Sequence, residues 1–180
     1  MFPTLSAHRT PAAPATLSAG TGPRRLLLHL AALLLQIALL AGFVSPARAE
    51  VAIPPVVDIS PLPPLGETWL AANPYRGNPQ AVEIGRSAYN QSCARCHGVD
   101  AEHQGNAADL RRVDAYCRRI ADTGLRAACM LDNDAFFKES VLHGKVRVGV
   151  VHMPPWEGLL PQEVVWAIQT FVESRAGSVK

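Results

Sequence analysis

The stretch that decides the fold is AYNQSCARCHG, residues 88–98 of the 180-residue chain. Two cysteines, Cys93 and Cys96, stand three positions apart in it, and His97 follows directly. On a helical turn, side chains three positions apart share a face, so both thiols can reach one flat partner while the imidazole lies beside them. The spacing therefore predicts the attachment point of a prosthetic group.

The Cys-x-x-Cys-His pattern is typical of covalent haem c attachment, with Cys93 and Cys96 bonded to the vinyl groups of one haem and His97 as an axial iron ligand. Three other interpretations use the same residues. A thioredoxin-like dithiol should lie among alternating strands and helices, which the chain does not show. A zinc site would need a second ligand pair, and Cys117 and Cys129 are too far apart to form one. A structural disulfide would leave His97 unexplained.

Helices are predicted on both sides of this motif. The first, over 80–91, begins after Asn78-Pro79, a capping residue followed by a first-turn proline, and it delivers the chain to Cys93. The last, over 161–175, carries apolar residues at three- and four-residue steps. We expect these terminal helices to cross, with Gly85 and an aromatic side chain at their contact.

The middle of the chain adds only short elements. Helical patterns cover 108–119 and 134–142, and the one strand-like run, 146–151, is broken by Gly149. The sequence has no internal repeat. The predicted fold is therefore all-α, with a single haem domain over 79–180.

The first 49 residues predict a cleaved signal peptide. Residues 1–25 contain no acid, an apolar run follows over 26–44, and Ala47-Arg48-Ala49 then forms the Ala-x-Ala pattern that a signal peptidase cuts. We place the cut after Ala49, which predicts a periplasmic protein. The alternative is a retained membrane anchor, because the apolar run is long enough to cross a bilayer.

Cleavage there changes the charge of the chain. The whole sequence has a formal charge of +2, and losing four arginines and no acid leaves 13 basic and 15 acidic residues, a net charge of −2. Such a charge gives no electrostatic case for binding nucleic acid. The new N-terminus would be a proline-rich arm over 50–78, an extended segment or linker whose end is pinned to the folded body by Trp69, Leu70 and Tyr75.

The sixth position on the iron separates electron transfer from ligand binding. Beyond the signal peptide the chain has two methionines. Met153 follows His97 by 56 residues in a loop stiffened by two prolines, so we predict it as the distal ligand. Met130 lies in a helical pattern and is interpreted as packing. The alternatives to Met153 are three histidines: His103, His143 and His152.

The remaining cysteines, Cys117 and Cys129, predict a disulfide, because an exported chain meets an oxidising compartment. The alternative is a pair of unpaired buried thiols. Arginines surround the pair in the sequence. They could form a solvated helix face, serve as a docking patch or bind the haem propionates.

Residues 80–175 resemble the class I cytochromes c, in which the haem motif follows the first helix, a methionine loop comes late and a final helix closes the domain. Three stretches are more specifically similar to the periplasmic cytochromes that accept electrons from pyrroloquinoline-quinone (PQQ) alcohol dehydrogenases: NPYRGNP at 73–79, GKVRVG at 144–149 and HMPPWEG at 152–158. One position departs from the family. Members commonly carry a proline whose carbonyl receives the ring N–H of the proximal histidine, and here that residue is Ala108.

The resemblance implies a one-electron carrier and not an enzyme. Such a carrier passes electrons from a dehydrogenase of this kind toward a terminal oxidase or another cytochrome. One alternative is a haem sensor or peroxidase with an open sixth site. Another is a cytochrome subunit of a dehydrogenase complex, tethered to the membrane by an uncleaved segment 26–44.

Overall fold

The structure is a computed structural model that describes residues 22–41, 51–102 and 107–176. The chain divides into two compact units, residues 1–47 and 48–180. In the first unit one helix is described, α1 (Pro23–Ala41). No helix within the described residues is long and apolar enough to cross a membrane. The predicted cleavage site after Ala49 lies outside the described residues.

The second unit is mostly helical, as predicted. Its helices are α2 (Pro79–Ser92), α3 (Ala94–His97), α4 (Thr123–His143) and α5 (Gln162–Ser174). In the described part of the chain between α3 and α4 lie three short 3₁₀ turns: Val99–Ala101, Leu110–Arg112 and Cys117–Arg119. Two strands, β1 (Lys145–Arg147) and β2 (Val150–Met153), form an antiparallel hairpin between α4 and α5.

Helix α2 begins where the sequence predicts, because the Asn78 side chain accepts hydrogen bonds from the amides of Gln80 and Ala81 at 2.9 and 3.3 Å. It crosses α5 at Gly85, where an added Cβ would lie 2.0 Å from the Ala167 carbonyl oxygen. Only glycine permits so close a backbone approach. The predicted crossing of the terminal helices at Gly85 is therefore confirmed.

An aromatic pair completes this crossing. The rings of Tyr89 and Phe171 have centroids 5.3 Å apart, a distance typical of packed aromatic side chains. Helix α5 is buried from Gln162 to Glu173, so it runs through the centre of the unit. One face of it joins the main core with Tyr89, and the other packs beneath the proline-rich segment.

The proline-rich segment over 51–78 has no regular secondary structure, yet it packs closely against the body. Trp69 meets Trp166 edge to face at 6.2 Å between centroids, and only 2% of Tyr75 is exposed. Side-chain hydrogen bonds satisfy backbone groups that a regular helix or sheet would otherwise pair. Gln162 accepts from the Leu70 amide and donates to two carbonyls of the segment. The segment is thus an integral part of the folded unit.

The middle of the chain differs most from its predicted elements. The helix predicted over 108–119 is two separate 3₁₀ turns, and the helix predicted over 134–142 is only the last part of α4. Helix α4 begins eleven residues earlier, after Asp122, whose side chain accepts from the Leu125 amide at 2.8 Å. The first half of α4 is largely exposed, so it has no apolar stripe to reveal it.

Candidate haem site

The three residues of the haem motif lie on one turn. The last turn of α2 ends at Cys93, whose amide donates to the Tyr89 carbonyl at 2.7 Å. The chain enters α3 at once, with the His97 amide donating to the Cys93 carbonyl at 3.0 Å. Cys93, Cys96 and His97 are all partly exposed. The fold therefore brings both thiols and the imidazole to one place at the surface of the unit.

The Cys93 thiol does not have the character of the attacking cysteine of a redox dithiol. Burial raises the pKa of the Cys93 thiol to about 12, and the neighbouring Cys96 raises it further. A thioredoxin-like attacking cysteine has the opposite shift, since it must be a thiolate near neutral pH. Among the described residues the surroundings are also helical, without the strands that a thioredoxin-like protein would place there.

The imidazole of His97 is held by the backbone. Its Nδ1 lies 2.9 Å from the Ala108 carbonyl oxygen, and the carbonyl can only accept, so Nδ1 carries the proton. A histidine in that tautomer coordinates a metal through Nε2. Two thiols and an imidazole of fixed tautomer are the donor set that haem c requires, so these residues fit the group.

The loop after His97 is held in an unusual conformation. Gly98, Asp100 and Ala101 have positive φ angles of 88°, 52° and 58°. Positive φ is unfavourable for residues with a Cβ, so the surroundings must support it. The Asp100 carboxylate accepts two bonds from Arg86 at 2.8 Å each and one from Asn90 at 2.7 Å. These hydrogen bonds hold the pKa of Asp100 well below its ordinary value, and the bonds from Arg86 have the largest effect.

Met153 ends the hairpin at the close of strand β2. Its side chain is partly buried and packs against the main core, whereas the adjacent His152 is exposed. Gly144, which caps α4, touches this segment so closely that an added Cβ would lie 2.3 Å from the Met153 carbonyl oxygen. The Trp156 amide donates to the carbonyls of Val141 and Leu142. The methionine segment is thereby fastened to the end of α4.

The other candidates for the sixth ligand lie elsewhere. His143 is exposed and its Nδ1 is 3.0 Å from a Glu139 carboxylate oxygen. Met130 lines a surface cavity of about 430 Å³ together with Arg76 and Glu173. His103 lies outside the described residues. The sequence predicts Met153 as the distal ligand, and among the described candidates Met153 is the one that packs against the core that also supports Cys93.

Cys117 and Cys129 are joined by a disulfide, with their Cα atoms 5.5 Å apart. The bond ties the third 3₁₀ turn to α4. Among the nearby arginines, Arg118 pairs with Asp114 and donates to the Glu173 carbonyl at 2.8 Å. The Arg118 side chain is about half exposed, whereas its partner Asp114 is buried.

Comparison with known proteins agrees with this geometry. The family model described as "Cytochrome C oxidase, cbb3-type, subunit III" matches residues 80–172. Cytochrome c550 of Pseudomonas aeruginosa is 44% identical over 125 residues, which cover 67% of this chain and 77% of that protein. No solved structure matches the chain. The protein therefore belongs to the class I c-type cytochromes, electron-transfer proteins with a covalently bound haem c and an all-α cytochrome c fold.

Proposed function

We propose that this cytochrome is a periplasmic carrier of single electrons whose iron has His97 and Met153 as axial ligands. The observation that carries the proposal is the 2.9 Å contact between His97 Nδ1 and the Ala108 carbonyl. It fixes the tautomer and the ring orientation that an iron ligand needs, next to both anchoring thiols. When bound, haem c supplies a reversible one-electron couple.

The placement of Met153 supports it as the second ligand. It packs against the same core cluster as Cys93, and the segment that carries it is fastened to α4 at Gly144 and Trp156. A thioether in the sixth position raises the reduction potential and leaves no open site for a substrate. That combination suits electron transfer better than a sensor or a peroxidase.

A pair of methionine variants tests this ligation. Met153→Ala should abolish the charge-transfer band of a methionine–iron bond in the ferric protein and allow rapid carbon monoxide binding to the ferrous protein. Met130→Ala is the matched control and should leave both properties unchanged, because Met130 lines a separate cavity. Carbon monoxide binding to the unmodified ferrous protein at the same rate would contradict the proposal and favour the open-site alternative.

The proposed donor is a PQQ-dependent alcohol dehydrogenase, and the proposed acceptor is a terminal oxidase or another cytochrome. Support comes from the three stretches shared with the cytochromes that serve such dehydrogenases. In the first of them, over 73–79, the side chains have structural partners: Asn73 donates to the Trp166 carbonyl, and Arg76 pairs with Glu173 at 2.8 Å. The similarity of this stretch therefore concerns packing within the fold, and the stretch does not by itself mark a docking surface.

The donor is tested by direct reduction. The purified ferric cytochrome is mixed with a quinoprotein alcohol dehydrogenase and its alcohol, and the ferrous spectrum is followed with time. We expect rapid reduction that needs both the alcohol and the PQQ, and much slower reduction of mitochondrial cytochrome c under the same conditions. Equal rates for the two cytochromes would remove the donor assignment and leave the cytochrome assignment intact.

Export and the disulfide are tested on the protein recovered from cells. N-terminal sequencing should begin at Glu50, and mass measurement with alkylation should find no reactive thiol at Cys117 or Cys129 before reduction. A chain that retains residues 26–44 would instead support the second candidate, a tethered cytochrome subunit of a membrane complex. The family description, which names an oxidase subunit, is what favours that candidate.

A further inference from the structure

The carbonyl that holds the proximal histidine belongs to a residue that lacks the stiffness of proline. Ala108 accepts the ring N–H of His97 at 2.9 Å. Similar cytochromes commonly carry proline here, and proline fixes one backbone angle. Alanine leaves that angle free, so the orientation of the carbonyl must be supported in another way.

Hydrogen bonds fix the chain on both sides of Ala108. On the preceding side, the Ala107 amide donates to the Cys96 carbonyl at 3.2 Å. On the following side, Asp109 opens the 3₁₀ turn and its carboxylate accepts from the Arg111 amide at 3.1 Å. Ala108 thus lies between a tether to the haem motif and a capped turn.

The guanidinium of Arg111 completes this support. Its Nε and Nη2 donate to the two carboxylate oxygens of Asp109 at 2.9 and 3.0 Å, which makes the pair bidentate. Only 12% of the Asp109 side chain and 15% of the Arg111 side chain are exposed. Exposed ion pairs contribute little, whereas a shielded bidentate pair keeps one geometry. Between the two, Leu110 packs against the main core.

We propose that Asp109 and Arg111 are positioning residues for the proximal ligand, and that their ion pair replaces the absent proline. The inference rests on the proposed ligation of iron by His97. By fixing the chain after Ala108, the pair keeps the carbonyl in line with the Nδ1 proton. A strong bond there makes the imidazole a more basic ligand, which favours the ferric state and lowers the reduction potential.

Arg111→Lys tests the pair without changing the charge, because lysine cannot reproduce the planar fork. The readouts are the exchange rate of the His97 Nδ1 proton, measured by NMR in the ferrous haem-loaded protein, and the midpoint potential. We expect several-fold faster exchange and an upward shift of the potential. Arg118→Lys is the matched control, since Arg118 pairs with Asp114 away from this turn. It should keep the wild-type values.

Adding Ala108→Pro to Arg111→Lys should restore both readouts. Ala108 is exposed, so a proline ring has room, and it returns stiffness without adding charge. Wild-type exchange and potential in Arg111→Lys would overturn the proposal, and so would equal changes in Arg118→Lys or the absence of rescue. If Arg111→Lys retains no haem, Asp109→Asn is measured instead, and a wild-type exchange rate there rejects the proposal.

A separate measurement on the wild-type protein tests the ligation of iron by His97, on which this proposal rests. If His97 does not bind the iron, the wild-type protein lacks the shifted proton resonances of a coordinated imidazole. If it does, the variants alone decide whether Asp109 and Arg111 position it.

Discussion

The two segments that carry the proposed iron ligands are built in different ways. The described parts of the proximal segment, residues 93–102 and 107–112, are fixed by their own hydrogen bonds, from the start of α3 to the Asp109–Arg111 pair. The distal segment, residues 144–153, is a short hairpin in which all three residues of β1 are exposed. Val148 at its tip is fully exposed. The distal segment is fastened where it leaves α4 and where Met153 packs against the main core, and the Trp156 amide bonds the end of α4 just after it.

This difference indicates how each ligand is controlled. The imidazole is oriented by the chain itself, so changes nearby should alter the strength of its bond. The thioether is placed by a hairpin that is largely exposed and has few contacts with the core, so changes there should decide whether it binds at all. Both segments depend on the crossing of α2 and α5, which supports the core beneath them.

The largest effect should come from Gly85→Ala, which breaks the shared support. The new Cβ would lie 2.0 Å from the Ala167 carbonyl oxygen, and two crossing helices cannot yield as a loop can. Overpacking of this kind should lower the free energy of unfolding by about 3 kcal/mol, measured by urea denaturation of the haem-loaded protein. Gly124→Ala in α4, whose nearest neighbour is a side-chain oxygen at 3.3 Å, should stay within about 1 kcal/mol of wild type. Equal losses in the two variants would contradict the role of the crossing.

The next effect should be confined to the distal segment. Gly144 has φ 66° and backbone atoms of Met153 and Pro154 within 2.8 Å of an added Cβ, so Gly144→Ala should cost about 2 kcal/mol and displace the methionine. The measurement is loss of the methionine–iron charge-transfer band. Gly149→Ala is the matched control, because Gly149 also has a positive φ of 75° but open space around it. A band that persists in Gly144→Ala would show that the contact does not place the ligand.

Much of this architecture is predictable from sequence because it depends on local signals. The cap at Asn78, the apolar stripe of α5 and the glycine at the crossing each follow from residue type and spacing, and the structure confirms them. The haem motif is similarly local, since three residues on one turn suffice to define it. These features do not depend on how distant parts of the chain meet.

Some of the features that the sequence does not reveal depend on residues outside the element concerned, and others depend on local side-chain bonds that compete with a helix. The first half of α4 lacks an apolar stripe, because it is exposed and tied to the unit by Cys129. The 3₁₀ turns look helical in pattern, but the Asp109 side chain accepts the Arg111 amide, a local bond that competes with a continuous helix. The positive φ angles at Asp100 and Ala101 have no sequence signal, since the arginine that supports them lies 14 residues away.

Loss of the contacts that Arg86 and Asn90 make with Asp100 should have the smallest of the expected effects on stability. The effect should be confined to the proximal segment. Arg86 and Asn90 stabilise the carboxylate and hold the pKa of Asp100 below its ordinary value of 3.8, so the ionised form stabilises the folded state. This contribution should be complete above about pH 5 and should disappear as the pH falls through the lowered pKa. Asp100→Asn should therefore be less stable than wild type near pH 7, and the difference should narrow steadily below about pH 4.

A double-mutant cycle with Arg86→Gln isolates the ion pair from the hydrogen bond to Asn90. The coupling between Asp100 and Arg86, taken from unfolding free energies, should be favourable at neutral pH and should weaken both in acid and at high salt, since the Arg86 side chain is 52% exposed. The methionine–iron band should be unchanged in every member of the cycle, because the pair supports only the loop that follows His97. A coupling that does not change with pH would mean that a neutral Asp100 holds the loop equally well, and loss of the band would mean that the two sides of the iron site are not independent.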